Sequence, residues 1–214
     1  MRLDFDVIGL VENSPDDVEV MLAATRKEKV EDRVAVAEAA GLKPTVMDIE
    51  SYAARAAISR LTEQMPNRAK GQVLALFQIG SQVMHVSMLL DDQLIYEREQ
   101  PFGGHQLTQE IVRTYGLSYE EAEVKKRNND LPDGYQTEIL EPFLETAAQE
   151  VTRAIQFFFT STPYTRVDQL FLAGGCAIIP GMVDTVANRT KLSASVVSPV
   201  SYTHLRAHET KANL

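Results

Sequence analysis

The sequence predicts a mixed α/β protein in two parts: a small β–β–α–β unit, then a longer stretch of antiparallel strands, helices and a buried strand. Three observations predict this. Apolar residues recur at period two in some stretches and at helical spacing in others, and the two kinds interleave along the chain. Pro66-Asn67-Arg68-Ala69-Lys70-Gly71 interrupts both patterns and marks the main boundary. The length, 214 residues, suits one full domain or two small ones.

The apolar runs Phe5–Leu10 and Val18–Ala24 flank the turn chemistry of Asn13-Ser14-Pro15-Asp16-Asp17. Val18, Val20 and Leu22 fall on one face, which suits a half-buried strand. Val30, Val34, Ala37 and Gly41 follow at helical spacing, and Gly41 reads as the C-terminal stop. Residues 43–48 read as a short strand that closes the small unit at 1–48. A second helix is expected over 49–65, with Tyr52, Ala56 and Leu61, beside Ala53 and Ala57, as a stripe rich in small residues. Residues 49–70 therefore form a helix and linker.

Residues 72–99 read as three antiparallel strands, turning at Ile79-Gly80-Ser81-Gln82 and at Asp91-Asp92. Phe102-Gly103-Gly104 opens a helix carrying Leu107, Ile111 and Tyr115. Ser118-Tyr119-Glu120-Glu121 has the spacing of a capping box for a short helix through Glu123 and Lys126, followed by a polar loop at 128–134. Ile139, Phe143, Ala147, Val151, Ile155 and Phe158 stripe a long helix over 137–160, with Pro142 in its first turns. Val167–Ala173 is a buried-type strand running into Gly174-Gly175, then a helix from Met182 to Arg189 and a last strand at 195–198. The larger segment thus spans 71–200.

The chain carries 21 Lys+Arg against 30 Asp+Glu, a net charge of −9, which argues against nucleic acid as a partner. A single cysteine, Cys176, excludes an intramolecular disulfide framework and suits a reducing compartment. No apolar run approaches the ~20 residues that cross a bilayer. The acidic N-terminus, MRLDFDVIG, does not read as a signal peptide.

Two places have the character of phosphate loops. Gln78-Ile79-Gly80-Ser81 is a tight turn between strands, and Leu172-Ala173-Gly174-Gly175 is a strand end before a helix. Glycines there let backbone N–H groups approach an anion with no Cβ in the way. Each pair alone is more often structural, and Gly103-Gly104 is equally open; their order within one segment raises the odds. Glu123 and Lys126, read alone, are a solvated i, i+3 ion pair. Cys176 reads as a small buried residue and not a nucleophile, and His85 and His105 lack a partner at telling spacing. His204 and His208 stand at i, i+4 without a third ligand, so no metal site is assigned to them.

The motifs run in a particular order. Asp48, Glu50, Tyr52 and Ala53 give D-x-E-x-Y-A; a hairpin turns at Gln78-Ile79-Gly80; Phe102 to Thr108 reads F-G-G-x-x-L-T. Then come A-E-x-x-K (Ala122, Glu123, Lys126), a long helix with Q-F-F-F (Gln156 to Phe159), and L-A-G-G-x-x-x-I-P-G (Leu172 to Gly181). Over residues 4–199 this resembles the actin-like ATPase superfamily, with its ribonuclease H-like lobes, and within it the PilM family of type IV pilus assembly proteins, related to FtsA. The resemblance implies an actin-like lobe with a mixed sheet and flanking helices at 71–200, a hinge helix at 49–70, and the small inserted subdomain of that family at 1–48.

It also implies roles. Gly80 and Ser81, with Gln78, would be the second phosphate loop, and Gly103 and Gly104 would also be cofactor-binding. Glu123 and Lys126 would flank adenosine, and Gly174 and Gly175 would cover it. ATP and Mg are the implied cofactors. The implied partners are the N-terminal peptide of a PilN-type inner-membrane protein and other pilus assembly proteins, in the cytoplasm at the inner face of the cytoplasmic membrane, serving pilus biogenesis and twitching motility. Two departures qualify this. The superfamily places an aspartate where this chain has Gln78, and a neutral amide supplies neither charge to Mg nor a base, which argues against hydrolysis. No D-x-G turn precedes Gln78, so the first phosphate loop is missing and an N-terminally truncated chain, with weak or absent ATP binding, is expected. Residues 201–214 depart from the family's ending and read as a non-native tail. A ligand-biased scaffold is therefore the leading reading. An FtsA-like adaptor without nucleotide is the alternative, and a sugar-kinase-type enzyme a weaker one.

Overall fold

The computed structural model describes residues 1–11, 14–63 and 65–197, apart from the Pro15 side chain. The reading of 201–214 as a tail, the His204/His208 pair and the end of the 195–198 strand lie outside the described residues. The chain divides into two compact units, Met1–Ala53 and Ala54–Leu214.

In the first unit β1 (Arg2–Val11) and β2 (Ser14–Thr25) form an antiparallel hairpin, with Phe5 opposite Leu22 and Val7 opposite Val20. A register shift after Val7 sets Leu10 opposite Val18. Leu3, Phe5, Val7, Leu10, Val18, Val20 and Leu22 therefore share one face, and all of them are exposed. α1 (Lys27–Ala39) carries a Lys27–Glu31 ion pair of 3.0 Å on its outer side. It ends as the sequence predicts: Gly41 has φ +76°, its N–H donates to Glu38 O, and Leu42 N–H donates to Ala37 O at 2.9 Å. This is the Schellman closure, which glycine makes without a Cβ penalty.

The unit is β–β–α, not β–β–α–β. Residues 43–48 form no strand, and Val46 is 81% exposed. Pro44 brings no N–H to a ladder, and only β1 and β2 pair in this sheet. Among the described residues of 1–53, none is buried.

α2 (Glu50–Thr62) spans the division between the units. Its buried face also differs from the expected stripe: Ala53, Ala56 and Ala57 are exposed, whereas Ile58 and Thr62 are buried, with Ala54 and Leu61 packed beside them. A 3-10 turn (Pro66–Ala69) follows, with Asn67, Arg68 and Ala69 all at positive φ. The main sheet is then built from β3 (Val73–Ile79), β4 (Met84–Leu90), β5 (Gln93–Gln100), β6 (Gln169–Ala173) and β7 (Ala194–Val196), in the order β5-β4-β3-β6-β7. β3, β4 and β5 are mutually antiparallel, while β6 runs parallel to β3 and β7 parallel to β6. Asp91 and Asp92 turn β4 into β5 at φ 50° and 63°, the two left-handed positions that match a hairpin's twist.

Both faces of the sheet are covered. Val73, Ala75, Phe77 and Ile79 point with Met84, Val86 and Met88 into the larger core. Leu74, Leu76, Leu89 and Phe171 point the other way, against Ile58 and Ala69. On the first side lie α3 (Gly104–Tyr115), α4 (Tyr119–Asn128) and α5 (Glu141–Ser161), then α6 (Met182–Thr190). The capping box forms as read, with Glu121 N–H donating to Ser118 Oγ and Ser118 N–H to the Glu121 carboxylate. The expected stripe of α5 is buried along its whole length, and a π turn over Gln136–Leu140 precedes the α-helix at Pro142.

Candidate functional site

β3 and β6 run parallel, so their carboxyl ends open on the same side of the sheet, the side where ligands bind in open α/β sheets. Three loops meet there. Gly104 N–H donates to Gly80 O at 3.0 Å and His105 N–H to Ser81 O at 2.7 Å. From the third loop, Cys176 N–H donates to Ile79 O at 3.3 Å, and the Cys176 thiol to Gly80 O at 3.4 Å. The segments Ile79–Ser81, Gly103–His105 and Gly174–Cys176 are thereby stitched into one cluster.

The glycines are needed first for this stitching. A Cβ on Gly103 would stand 2.4 Å from Ser81 O, and one on Gly174, already at φ +87°, would stand 2.5 Å from Ile79 O. Real Cβ atoms do not approach a carbonyl so closely, and the left-handed φ of Gly174 is costly for any other residue. Gly103 and Gly174 are thus required by loop–loop contact, whatever else their backbone meets. Gly175 has open space where its Cβ would be.

Glu123 and Lys126 lie on α4 and form a 2.5 Å ion pair, with their side chains 31% and 24% exposed. They are not merely a surface pair. Thr108 of α3, completely buried, places its hydroxyl between them: it accepts from Lys126 Nζ at 2.6 Å and donates to the Glu123 carboxylate. The same hydroxyl lies 3.2 Å from Gly104 O. Gly104 is in turn bonded to Gly80, so a continuous chain of contacts runs from the Gly80–Ser81 turn to Lys126. Sequence reading missed Thr108, although it quoted the L-T of the F-G-G motif. The available signal was a threonine four residues after a glycine pair on a helix, where the hydroxyl can return to the i−4 carbonyl.

Burial works against ionisation of Glu123, but the hydrogen bonds from Lys126 and Thr108 and the charges of Lys126 and Arg127 outweigh it and hold the carboxyl below its ordinary 4.5. A carboxyl depressed in the folded state contributes stability above its unfolded value and loses it as pH falls through the folded one. E123Q is therefore expected to flatten the acid limb of the stability curve below pH 4.5, read from urea midpoints between pH 7 and pH 3. Burial pushes the Cys176 thiol up, with Lys126 pulling it back less strongly. That and its 5% exposure agree with a small core residue.

Gln78 is half-buried on β3, opposite His85 of β4, and His85 faces Glu99 of β5. His85 Nδ1 lies 3.2 Å from the Glu99 carboxylate. His105 has a partner too, its Nδ1 3.0 Å from the Tyr119 hydroxyl. Among the described residues no three His, Cys, Asp or Glu side chains are grouped to hold a metal ion. The residues present are compatible with a nucleoside phosphate: an acceptor carboxylate and a donor ammonium on one side, and on the other the Gly80–Ser81 turn with clear space where a Gly175 Cβ would stand.

A family model described as type IV pilus assembly protein PilM matches residues 1–214. The chain belongs to this family. A PilM–PilN type IV pilus biogenesis complex superposes at a TM-score of 0.70 with 24% identity, over 92% of this chain and 56% of that one. The PilM-family chain described here thus spans little more than half the length of that neighbour. MreB5 of Spiroplasma citri bound to AMPPNP matches at 0.54 with 14% identity, over 89% of this chain and 67% of that one. Ta0583, an archaeal actin homolog, matches at 0.53 with 16% identity, over 74% of this chain and 52% of its own. These likenesses establish the actin-like fold. No described helix is long and apolar enough to cross a membrane.

Proposed function

We propose that this PilM-family chain belongs to a nucleotide-binding scaffold of type IV pilus assembly, in which ATP with Mg biases a conformational equilibrium rather than being turned over. The observation that carries the reading is the stitching of the Gly80, Gly104 and Gly174–Cys176 loops to the Glu123–Lys126 pair through Thr108. Glu123 and Lys126 would bind the ribose hydroxyls, and the Gly80–Ser81 turn and Gly175 would face phosphate. A bound nucleotide supplies the negative charge and the hydroxyl donors that this arrangement complements. Gln78, a neutral amide, neither binds Mg by charge nor activates water.

The Met1–Ala53 unit is proposed to hold the N-terminal peptide of a PilN-type inner-membrane protein, with the scaffold cytoplasmic and recruited to the inner face of the cytoplasmic membrane. The PilM–PilN neighbour supports a PilN-type partner. The test of the nucleotide role is a thermal melt, with and without millimolar Mg-ATP, of this chain joined to the first phosphate loop of a PilM-family protein. Binding at several times Kd stabilises by about 1 kcal/mol, a rise of roughly 2–4 °C for a protein of this size. A melting temperature indifferent to Mg-ATP overturns it. Titration with a labelled PilN-type peptide tests the partner separately.

A second reading, an FtsA-like adaptor that binds no nucleotide, is favoured by one observation. The N–H groups of Gly104, His105 and Cys176 are already donated to the chain's own carbonyls and are not offered to a phosphate.

A further inference from the structure

Resting on the nucleotide-scaffold reading, we propose that Thr108 is the positioning residue of the site: its hydroxyl fixes the Glu123 carboxylate and the Lys126 ammonium relative to the phosphate-side turn at Gly80-Ser81. Thr108 is not itself assigned a contact with ligand. It acts through the two groups that are, and through Gly104.

A threonine hydroxyl has one proton and two acceptor sites. Lys126 Nζ, 2.6 Å away, has only protons to give, so the hydroxyl accepts there. Its own proton then goes to the Glu123 carboxylate or to Gly104 O at 3.2 Å. The charged acceptor is the stronger. The three groups form a closed ring, because Lys126 also donates directly to Glu123 at 2.5 Å. Neither long side chain is free to choose its rotamer while the ring holds. The anchor is rigid on its other side as well: Thr108 is fully buried on α3, whose first residue Gly104 donates to Gly80 O at 3.0 Å. Of the two χ1 rotamers open to a helical threonine, the one adopted sets the hydroxyl on the Gly104 side, 3.2 Å from that i−4 carbonyl. Glu123 and Lys126 thus inherit their placement from the turn through one side chain.

A structural threonine and a positioning threonine differ in which ligand is lost. The test uses this chain joined to the first phosphate loop, unaltered and as T108V and T108S, titrated by NMR with Mg-ATP and with inorganic tripolyphosphate, while the Glu123 carboxyl is followed against pH. Lys126, Thr108 and Arg127 are the groups that hold that carboxyl down. T108V should weaken Mg-ATP binding about tenfold, leave tripolyphosphate binding unchanged, and raise the Glu123 midpoint. T108S, which keeps the hydroxyl, should restore both. If T108V does not fold, T108A against T108S makes the same comparison with no overpacking. Unchanged Mg-ATP affinity and an unchanged Glu123 midpoint in T108V overturn the positioning role alone. Equal loss of ATP and tripolyphosphate makes Thr108 structural and overturns it too. Failure of the unaltered chain to bind Mg-ATP overturns the nucleotide reading, and this inference with it.

Discussion

Gly174→Val is expected to destabilise the Ala54–Leu214 unit on the order of 4 kcal/mol, lowering its melting temperature by roughly 10 °C. Two independent costs combine at this position. Gly174 has φ +87°, a region a β-branched residue enters only with strain. Its Cβ would also stand 2.5 Å from Ile79 O and 2.9 Å from Ile79 C, which are backbone atoms of a central strand and do not yield. To relieve the contact the Gly174–Cys176 loop must lift away from β3, breaking the Cys176 N–H to Ile79 O bond. The variant should therefore lose any nucleotide response before it loses the fold. Thermal melts with and without Mg-ATP measure both. A G174V protein as stable as the parent would contradict the loop geometry.

Phe158→Ala is expected to cost about 3–5 kcal/mol, the range for removing a fully buried aromatic side chain. Phe158 is completely buried under the sheet, edge-on to Tyr96 at 5.5 Å and stacked with Tyr164 at 5.7 Å. Truncation leaves a cavity that those rings, held by β5 and by the turn after α5, fill only in part. Phe158→Leu keeps most of the volume and should cost about 1–2 kcal/mol. Urea midpoints at constant slope separate the two. Phe158 lies in the core and not in the three-loop cluster, so any residual ligand binding by F158A should follow the folded fraction alone.

What could be read from the sequence was what neighbours in sequence decide. Ser118 and Glu121 close their capping box within four residues, and Gly41 ends α1 through bonds to Ala37 and Glu38. The stripe from Ile139 to Phe158 is long enough that no competing period fits it. The glycine loops were legible as places, because a glycine pair at a strand end is unusual in any context. Their reason was not: nothing local says that the Cβ of Gly103 would collide with Ser81 rather than with a ligand. The misread elements share a cause. Residues 43–48 have strand-like composition, but a strand exists only where a neighbour offers an edge. α2 has apolar residues on two faces, and the sheet chose Ala54, Ile58 and Leu61 over Ala53, Ala56 and Ala57. Thr108 became decisive only when α4 brought Glu123 and Lys126 against it.

The parallel pairing of β3 with β6 has a consequence for how the molecule is made. Gly80 and Cys176, which meet in the loop cluster, are 96 residues apart in the chain. At roughly 5–20 residues per second, β3 leaves the ribosome some 5–20 s before its partner strand. For that interval the meander of β3, β4 and β5 can form, yet the backbone edge of β3 from Leu74 to Gln78 has no strand beside it. Such an edge is what chaperones recognise and what aggregates in their absence. The site is therefore among the last parts to exist in a nascent chain. A ribosome halted between β5 and β6 would hold the meander without the Gly174–Cys176 loop that completes the cluster.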